Sequence, residues 1–365
     1  MKLTINTSTI QNMVAKSMKG ASCNKMIPLT SLMAIELKDN VLTLITTDST
    51  NYLYVREEKV AGDDFYVVVQ ADVFSKLISK LTCEKVTFEL NGGSMKITGN
   101  GKYSLELPLD EEGELITYPN PYANIQSDVE NSELDEIHLS TVKLILKTAK
   151  SALATTLEVP CYTGYYVGDS IIATDTSVVC SIDIQLFDKP ALISSETMNL
   201  LDLFTDEKIE VFRKNNVLVF KTADCIVYGV TMDGIEDYQV DVIREFVDED
   251  YDSSCKLPKD SLLKLLDRLS LFVSSYDRNE IYLTFTRDGL QIESKKANSV
   301  EVIPYSESSN FKDFTCCVDI EMLTSQVKAY AGDAIELHYG QDNAIKLTDG
   351  NVVQVVALNE DDRVE

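Results

Sequence analysis

Residues 42–50 read LTLITTDST and residues 169–177 read DSIIATDTS. Each runs an alternating apolar stretch into a Thr-Asp pair and a small hydroxyl residue. The pairs, Thr47-Asp48 and Thr174-Asp175, lie 127 positions apart. The segments downstream of the two pairs repeat as well. After the first come an alternating strand (NYLYVREEKV), a strand running into a helix (FYVVVQADVFSKLISKLTC), and three short strands turning at Asn-Gly-Gly and Gly-Asn-Gly. After the second come VVCSIDIQLF, then ALISSETMNLLDLF with Ser194 or Ser195 as N-cap, then three strands within IEVFRKNNVLVFKTADCIVYGVTMDG. A third passage lacks Thr-Asp but keeps the order: two strands in GLQIESKKANSVEVIPY, strand into helix in TCCVDIEMLTSQVKAYAG, and three strands in AIELHYGQDNAIKLTDGNVVQVVAL. Each copy opens with a helix: TSTIQNMVAKSMKG, LSTVKLILKTAKSAL and PKDSLLKLLDRLSLFVSS, with apolar residues at helical spacing such as Val142, Ile145, Ala149 and Leu153. Pro258 suits a first-turn position in the third.

This order of elements implies an α+β chain of three tandem units, with expected domains at 1–122, 130–245 and 250–365. The boundaries fall in a Pro-, Asn- and Asp-rich stretch (118–136) and an acidic one (243–254). A length of 365 residues suits two or three cores.

Composition excludes several function classes. The N-terminus has no apolar signal core, and no run approaches the roughly 18 apolar residues of a membrane helix, so an intracellular, cytoplasmic protein with no membrane partner is expected. The cysteines (23, 83, 161, 180, 225, 255, 316, 317) form no CxxC pair and read as reduced, mostly buried thiols. Two isolated histidines, His138 and His338, leave little from which to build a zinc site or a triad, and no phosphate-binding glycine motif is present. No metal, no cofactor and no catalytic residue is expected.

Net charge is −26, which argues against nucleic acid until its distribution is considered. The first 35 residues contain Lys2, Lys16, Lys19 and Lys25 and no acid, and 137–157 carry Lys143, Lys147 and Lys150 at i, i+4, i+7, again without acid. Lys76 and Lys80, then Lys264 and Arg268, recur at i, i+4 on other helices, with Lys328 on a further one. Helices are basic or neutral, while strands and loops carry the acids. The second copy's Glu196 and Asp202, and Asp260 and Asp267 in the third, depart from this. Helices facing one shared surface would meet a polyanion.

The MKLTI start, IPLTSLMAIEL at Pro28, LTLITTD, IIATD at the same place in the second copy, and DG…DYQ at 233–239 together resemble the bacterial-type DNA polymerase III beta subunit, the sliding clamp, over the whole chain. The resemblance implies three clamp domains per chain, each with two helices packed on antiparallel sheets. Two chains would close head to tail into a homodimeric ring around double-stranded DNA, bound without sequence preference. It also implies a replicative polymerase and a clamp loader as partners. By position it assigns Lys16, Lys19, Lys25, Lys76, Lys80, Lys143, Lys147, Lys150, Lys264, Arg268 and Lys328 to the DNA-facing hole. It assigns Tyr103 and Leu105 against Leu271 and Phe272 to ring closure. It assigns Tyr162, Thr174, Val179, Val240, Val355, Val356, Ala357 and Leu358 to a pocket for partner peptides. The chain departs from the family at Thr176-Ser177-Val178, at Ile235-Glu236, in the TTLEVPCY loop and in its NEDDRVE end. Such divergence fits a phage or mobile-element copy. The rival functions are a non-encircling peptide-binding scaffold or decoy clamp, and a metal-dependent nuclease using Asp110-Glu111-Glu112 or Asp248-Glu249-Asp250.

Overall fold

A computed structural model describes residues 1–274, 279–294 and 299–360. Ser275 of the third opening helix, residues 295–298 of the third copy's strand pair and residues 361–365 of the C-terminal extension lie outside the described residues. In chain order, β1 (Lys2–Asn6) leads into α1 (Thr7–Ser17), then β2 (Leu32–Lys38), β3 (Val41–Thr47), β4 (Tyr52–Glu57), β5 (Phe65–Gln70), α2 (Ala71–Ser79), β6 (Lys85–Asn91), β7 (Ser94–Thr98) and β8 (Lys102–Glu106). After α3 (Pro121–Glu130) the order restarts with β9 (Asp135–His138), α4 (Leu139–Thr148), β10 (Gly164–Val167), β11 (Ile171–Thr174), β12 (Val178–Ile182), β13 (Ala191–Ser194), α5 (Ser195–Leu201), β14 (Lys208–Lys214), β15 (Val217–Lys221) and β16 (Cys225–Val230). After α6 (Val240–Asp248) it runs a third time: β17 (Ser253–Pro258), α7 (Lys259–Leu269), β18 (Glu280–Thr286), β19 (Gly289–Ser294), β20 (Val300–Ile303), β21 (Glu307–Ser309), β22 (Phe314–Asp319), α8 (Ile320–Ala329), β23 (Ala334–Tyr339), β24 (Ala344–Asp349) and β25 (Val352–Ala357).

Two features differ from the sequence expectation. Each copy opens with a strand (β1, β9, β17) before its helix, and Pro258 ends β17 as the N-cap residue instead of entering the helix. Both stretches read as linkers contain a helix. Asn120-Pro121 starts α3, with the Asn120 side chain accepting from Ala123 N at 3.2 Å, a capping arrangement with proline at the first helical position. The acidic stretch hides α6, whose Val240, Ile243 and Val247 share one helical face.

The chain divides into two compact units, residues 1–142 with 196–231, and residues 143–195 with 232–365. This division runs through the second copy, because sheets cross copy boundaries inside each unit. In the first unit, β4 of the first copy pairs antiparallel with β16 of the second (Tyr54↔Ile226), giving an eight-stranded sheet ordered β5-β2-β3-β4-β16-β15-β14-β9. In the second unit, β12 pairs with β25 (Val179↔Val355), giving a nine-stranded sheet ordered β13-β10-β11-β12-β25-β24-β23-β17-β21. Each unit also holds a four-stranded sheet: β1-β6-β7-β8 in the first and β20-β19-β18-β22 in the second.

The cores follow from strand alternation. In the first unit, Ala34, Ile45, Tyr54 and Val68 pack with Phe212, Val219 and Ile226 from beyond the β4–β16 joint, under Tyr122 and Val129 of α3. In the second, Leu262, Leu265, Leu266 and Leu269 of α7 pack with Leu323 and Val327 of α8 and with Phe285, Leu337 and Tyr339 of the strands. The Phe285 and Tyr339 rings there stack at 3.8 Å. All eight thiols are reduced and six are buried.

The repeated Thr-Asp is a turn device. Thr47 Oγ1 donates to Asn51 O at 2.6 Å, and Asp48 Oδ1 accepts from Thr50 N and Asn51 N at 2.9 and 2.7 Å. In the second copy Thr174 Oγ1 donates to Val178 O at 2.8 Å, and Asp175 Oδ1 accepts from Ser177 N and Val178 N at 2.9 and 2.8 Å. The next residue is left-handed in both, with φ of 93° at Ser49 and 81° at Thr176. Carboxylate bonds to successive backbone N–H groups hold a turn that would otherwise leave them unpaired.

Candidate functional site: basic helices, open sheet edges and a covered apolar face

The cations assigned to the hole lie on or beside helices. Lys16 is on α1, Lys19 in the short turn after it and Lys25 in the following loop. Lys76 is on α2 and Lys80 caps it, Lys143 and Lys147 are on α4, Lys150 comes just after it, Lys264 and Arg268 are on α7, and Lys328 is on α8. Ten of the eleven are exposed. Among the described residues, Lys19, Lys25, Lys80, Lys143, Lys264 and Lys328 have no carboxylate within salt-bridge distance, so their charge is available to an anion.

Others are engaged. Lys76 pairs with Asp72 one turn earlier, Lys147 Nζ donates to Ala331 O at 3.2 Å, and Arg268 forks onto Glu301 of β20, with Nε to Oε1 at 2.9 Å. Lys16 is half-buried and holds Asp224 Oδ2 at 2.8 Å. Burial pushes the Asp224 carboxyl up, but the Lys16 hydrogen bond and charge, with the Thr222 hydroxyl, bring it below the usual carboxylate range. A depressed folded-state pKa stabilises fully above the unfolded value, near pH ~3.9, and the contribution is lost as pH falls through the folded value. Both partners are partly solvated, so Lys16→Met is expected to cost up to about 1 kcal/mol at pH 7. The gap from the parent protein should close between about pH 4 and pH 2 in urea titrations. A gap that persists unchanged at pH 2 would assign the loss to the lysine stem's packing.

Of the residues assigned to ring closure, Tyr103 and Leu105 sit at an open sheet edge. β8 is an outer strand of its four-stranded sheet and carries Tyr103 and Leu105, both half-buried. β20 is an outer strand of the other, with Val300 and Val302 exposed at 47% and 54%. Leu271 and Phe272 come directly after α7 and are 79% and 50% exposed. Native edge strands are usually guarded by charge or covered. The two valines and Glu301 were missed in sequence because an edge is defined by the strand that is not beside it.

The pocket residues divide. Tyr162, Val179, Val240 and Val355 meet in one apolar cluster with Cys161, Tyr166, Ile172, Tyr238 and Ile243. Val356 faces the opposite side of β25 and lies in the α7–α8 core, as strand alternation requires, and Leu358 packs against that core as well. Thr174 spends its hydroxyl on the turn, and Ala357 is half-buried, its N donating to Ser177 O at 2.9 Å. Tyr162, Val179 and Val355 are 7%, 9% and 4% exposed, because α6 lies over them. Tyr238, missed as a site residue, anchors that segment: its hydroxyl donates to Ile172 O at 3.1 Å and its ring meets Tyr162 edge-on at 4.9 Å.

Among the described residues, no group of three or more His, Cys, Asp or Glu side chains is placed to hold a metal ion, and no helix is long and apolar enough to cross a membrane. His338 Nε2 lies 2.9 Å from Thr348 Oγ1, and burial holds its pKa down.

Residues 1–119 match the sequence model of the DNA polymerase III beta subunit, N-terminal domain. The beta sliding clamp of Staphylococcus epidermidis is 21% identical, with 93% of each chain covered. Among solved structures, the beta subunit of Streptococcus pyogenes superposes with a TM-score of 0.86 at 17% identity, covering 99% of this chain and 100% of that one. The Bacillus subtilis DNA polymerase sliding clamp gives 0.83 at 18% identity, covering 99% of both. The first 119 residues thus match a DNA polymerase III beta subunit N-terminal domain, and the chain from end to end has the fold of these bacterial sliding clamps.

Proposed function

We propose that this protein is a DNA sliding clamp: two chains closed head to tail around duplex DNA, tethering a replicative polymerase and other partners to it without catalysing a reaction itself. The observation that carries the reading is the pattern of sheet edges. Three copies, at 1–122, 130–245 and 250–365, each carry one strand at each of two corresponding sheet edges: β4, β12 and β20 at one, and β8, β16 and β25 at the other. Within the chain, the first kind joins the second kind of the next copy, as β4–β16 and β12–β25. That leaves β20 and β8 as the members of these two sets without a joined partner. A second copy supplies the missing partner for each, and repeating the join head to tail closes a ring.

The charge pattern supports DNA inside such a ring. A topologically held clamp needs only diffuse positive charge to tolerate phosphates, and many tight phosphate contacts would slow sliding. Lysines scattered over exposed helices, in a chain of net charge −26, fit that requirement. A clamp loader, a polymerase and a cytoplasmic setting belong to the same reading.

Sedimentation velocity and negative-stain microscopy of the purified protein test it. A closed two-chain ring, with a hole wider than the roughly 20 Å of a duplex whose grooves alone are about 12 and 6 Å wide, is expected. Monomers that stay open at micromolar concentration would overturn encirclement and leave the non-encircling scaffold.

A further inference from the structure

We propose that the outer edge of β5 is a docking site for an extended partner segment. The segment adds to the sheet as a further strand, seats one apolar side chain in a slot beside the edge, and carries basic residues on either side of it.

The three copies finish their last strand in the same way, up to one residue. Leu107, Thr231 and Leu358 follow directly after β8, β16 and β25. Each donates its N–H to the preceding hairpin turn, to Gly93 O at 3.0 Å, Asn216 O at 2.8 Å and Asn343 O at 2.8 Å. In the second and third copies the next residue then meets the strand that leads into the copy's second helix. Met232 N donates to Leu192 O at 2.9 Å, and Asn359 N donates to Cys317 O at 2.9 Å. Both contacts are antiparallel bridges, and they cover part of the outer edges of β13 and β22.

Leu192 and Cys317 lie three residues before the starts of α5 and α8. In the first copy the residue three before α2 is Val68, and the residue next in line to donate is Pro108. Proline has no N–H, so the bridge cannot form. Among the described residues, no backbone hydrogen bond joins residues 107–118 to β5, which ends its eight-stranded sheet with β2 on its other side.

The place where the bridge would stand is a slot of about 120 Å³, with Tyr66, Val67 and Val68 on one side and Leu107, Pro108 and Ile116 on the other. An apolar cavity of about 150 Å³ holds a benzene molecule, so one aliphatic side chain fits here. Tyr66 and Leu115 beside the slot are 42% and 50% exposed, and Leu109, bridged to Leu115, is 54% exposed. Native sheets usually cover or guard such an edge. An added strand takes its affinity from main-chain bonds and its specificity from pockets for alternate side chains.

The rim decides the partner's charge. The turn between Leu109 and Leu115 carries Asp110, Glu111, Glu112 and Glu114, none with a cation within salt-bridge distance among the described residues. That rim favours lysine or arginine beside the seated side chain and repels nucleic acid. It also disfavours a second copy of this chain, since pairing β5 with itself would bring two acidic turns into one interface.

The experiment is fluorescence anisotropy of a labelled peptide, Lys-Val-Lys-Val-Lys-Val-Lys, titrated with the full-length protein at about 150 mM salt. Saturable binding with a dissociation constant below about 1 mM is expected. In an added strand the amides of alternate residues face the edge. N-methylation of either the valines or the lysines should therefore weaken binding at least about 10-fold, and N-methylation of the other set should do so by less than about 3-fold. Pro108→Ala supplies the missing donor and lets the chain close its own edge, so it should weaken binding about 10-fold with the thermal transition unchanged. Absence of binding overturns the proposal. Equal binding of the two N-methylated peptides overturns it as well, because charge alone would then hold them, and so does equal binding of the peptide with glutamate for lysine. Unchanged affinity in a folded Pro108→Ala protein removes Val68 O as the acceptor and overturns the proposal too. If Pro108→Ala disturbs the fold, the two N-methylated peptides on the parent protein decide. None of these readouts involves DNA or ring closure, so the site stands or falls independently of the clamp.

Discussion

Replacing Leu271 and Phe272 together by aspartate is expected to turn the proposed two-chain ring into monomers. Both side chains are largely exposed in the single chain, so their loss leaves the monomer's fold and thermal transition nearly unchanged. In the ring they would be covered by the β8 edge with Tyr103 and Leu105. Burying a large apolar side chain is worth about 1.5–3 kcal/mol, and a carboxylate in the same place must be stripped of water. Losing at least ~4 kcal/mol at each of the two joints, about 8 kcal/mol in all, raises the dissociation constant by about a millionfold. Sedimentation over a concentration series reads this directly. A double variant that sediments like the parent dimer would remove these residues from closure.

Asn51→Ala is expected to be the most damaging single substitution at the β4–β16 joint, costing about 3 kcal/mol in urea unfolding. Asn51 is 1% exposed. Its N and Nδ2 donate to Asp48 at 2.7 and 2.9 Å, and its Oδ1 accepts from Thr197 Oγ1 at 2.6 Å. The substitution keeps the backbone bond but removes the side-chain bonds to Asp48 Oδ2 and from Thr197 Oγ1 in a buried place, and leaves a small void. Gly229, on the facing strand, has no side chain with which to fill it; it is glycine because a Cβ there would stand 2.7 Å from Asn51 Oδ1 in the parent protein. The second joint holds a buried amide pair of the same kind, Gln354 Nε2 to Gln326 Oε1 at 3.0 Å, with Gln326 Nε2 reaching Ser151 Oγ at 3.2 Å. Loss of less than ~1 kcal/mol at Asn51 would show that the joint is held by backbone pairing and apolar packing alone.

Local signals recovered the elements whose cause is local. α1, α4 and α7 follow from apolar spacing, the hairpins from Asn-Gly-Gly and Lys-Asn-Asn, and the Thr-Asp turn from the hydrogen-bonding reach of aspartate. β9 escaped because Asp135–His138 offers one buried residue in four, too little alternation to register as a strand. α6 escaped because its acids read as a solvated linker, although Val240, Ile243 and Val247 carry the helical spacing. The β4–β16 and β12–β25 joints could not be read from any window, because pairing between strands more than 150 positions apart leaves no trace in either strand's own pattern. The site shows the same limit. Exposure of the lysines follows from helix periodicity, but the capture of Lys16 by Asp224 and of Arg268 by Glu301 depends on distant loops and edges.

A chain that always joins one kind of edge to the other can never exhaust its own edges: one of each is left over, however many copies it holds. The same two strands that would shut a ring would equally extend a filament if each join turned by the wrong angle. Closure is then a matter of curvature, and curvature is set where sheets from neighbouring copies meet. Substitutions that soften a joint without blocking β8 or β20 would therefore yield long polymers instead of loose subunits, a failure visible as fibres and opposite in sign to dissociation.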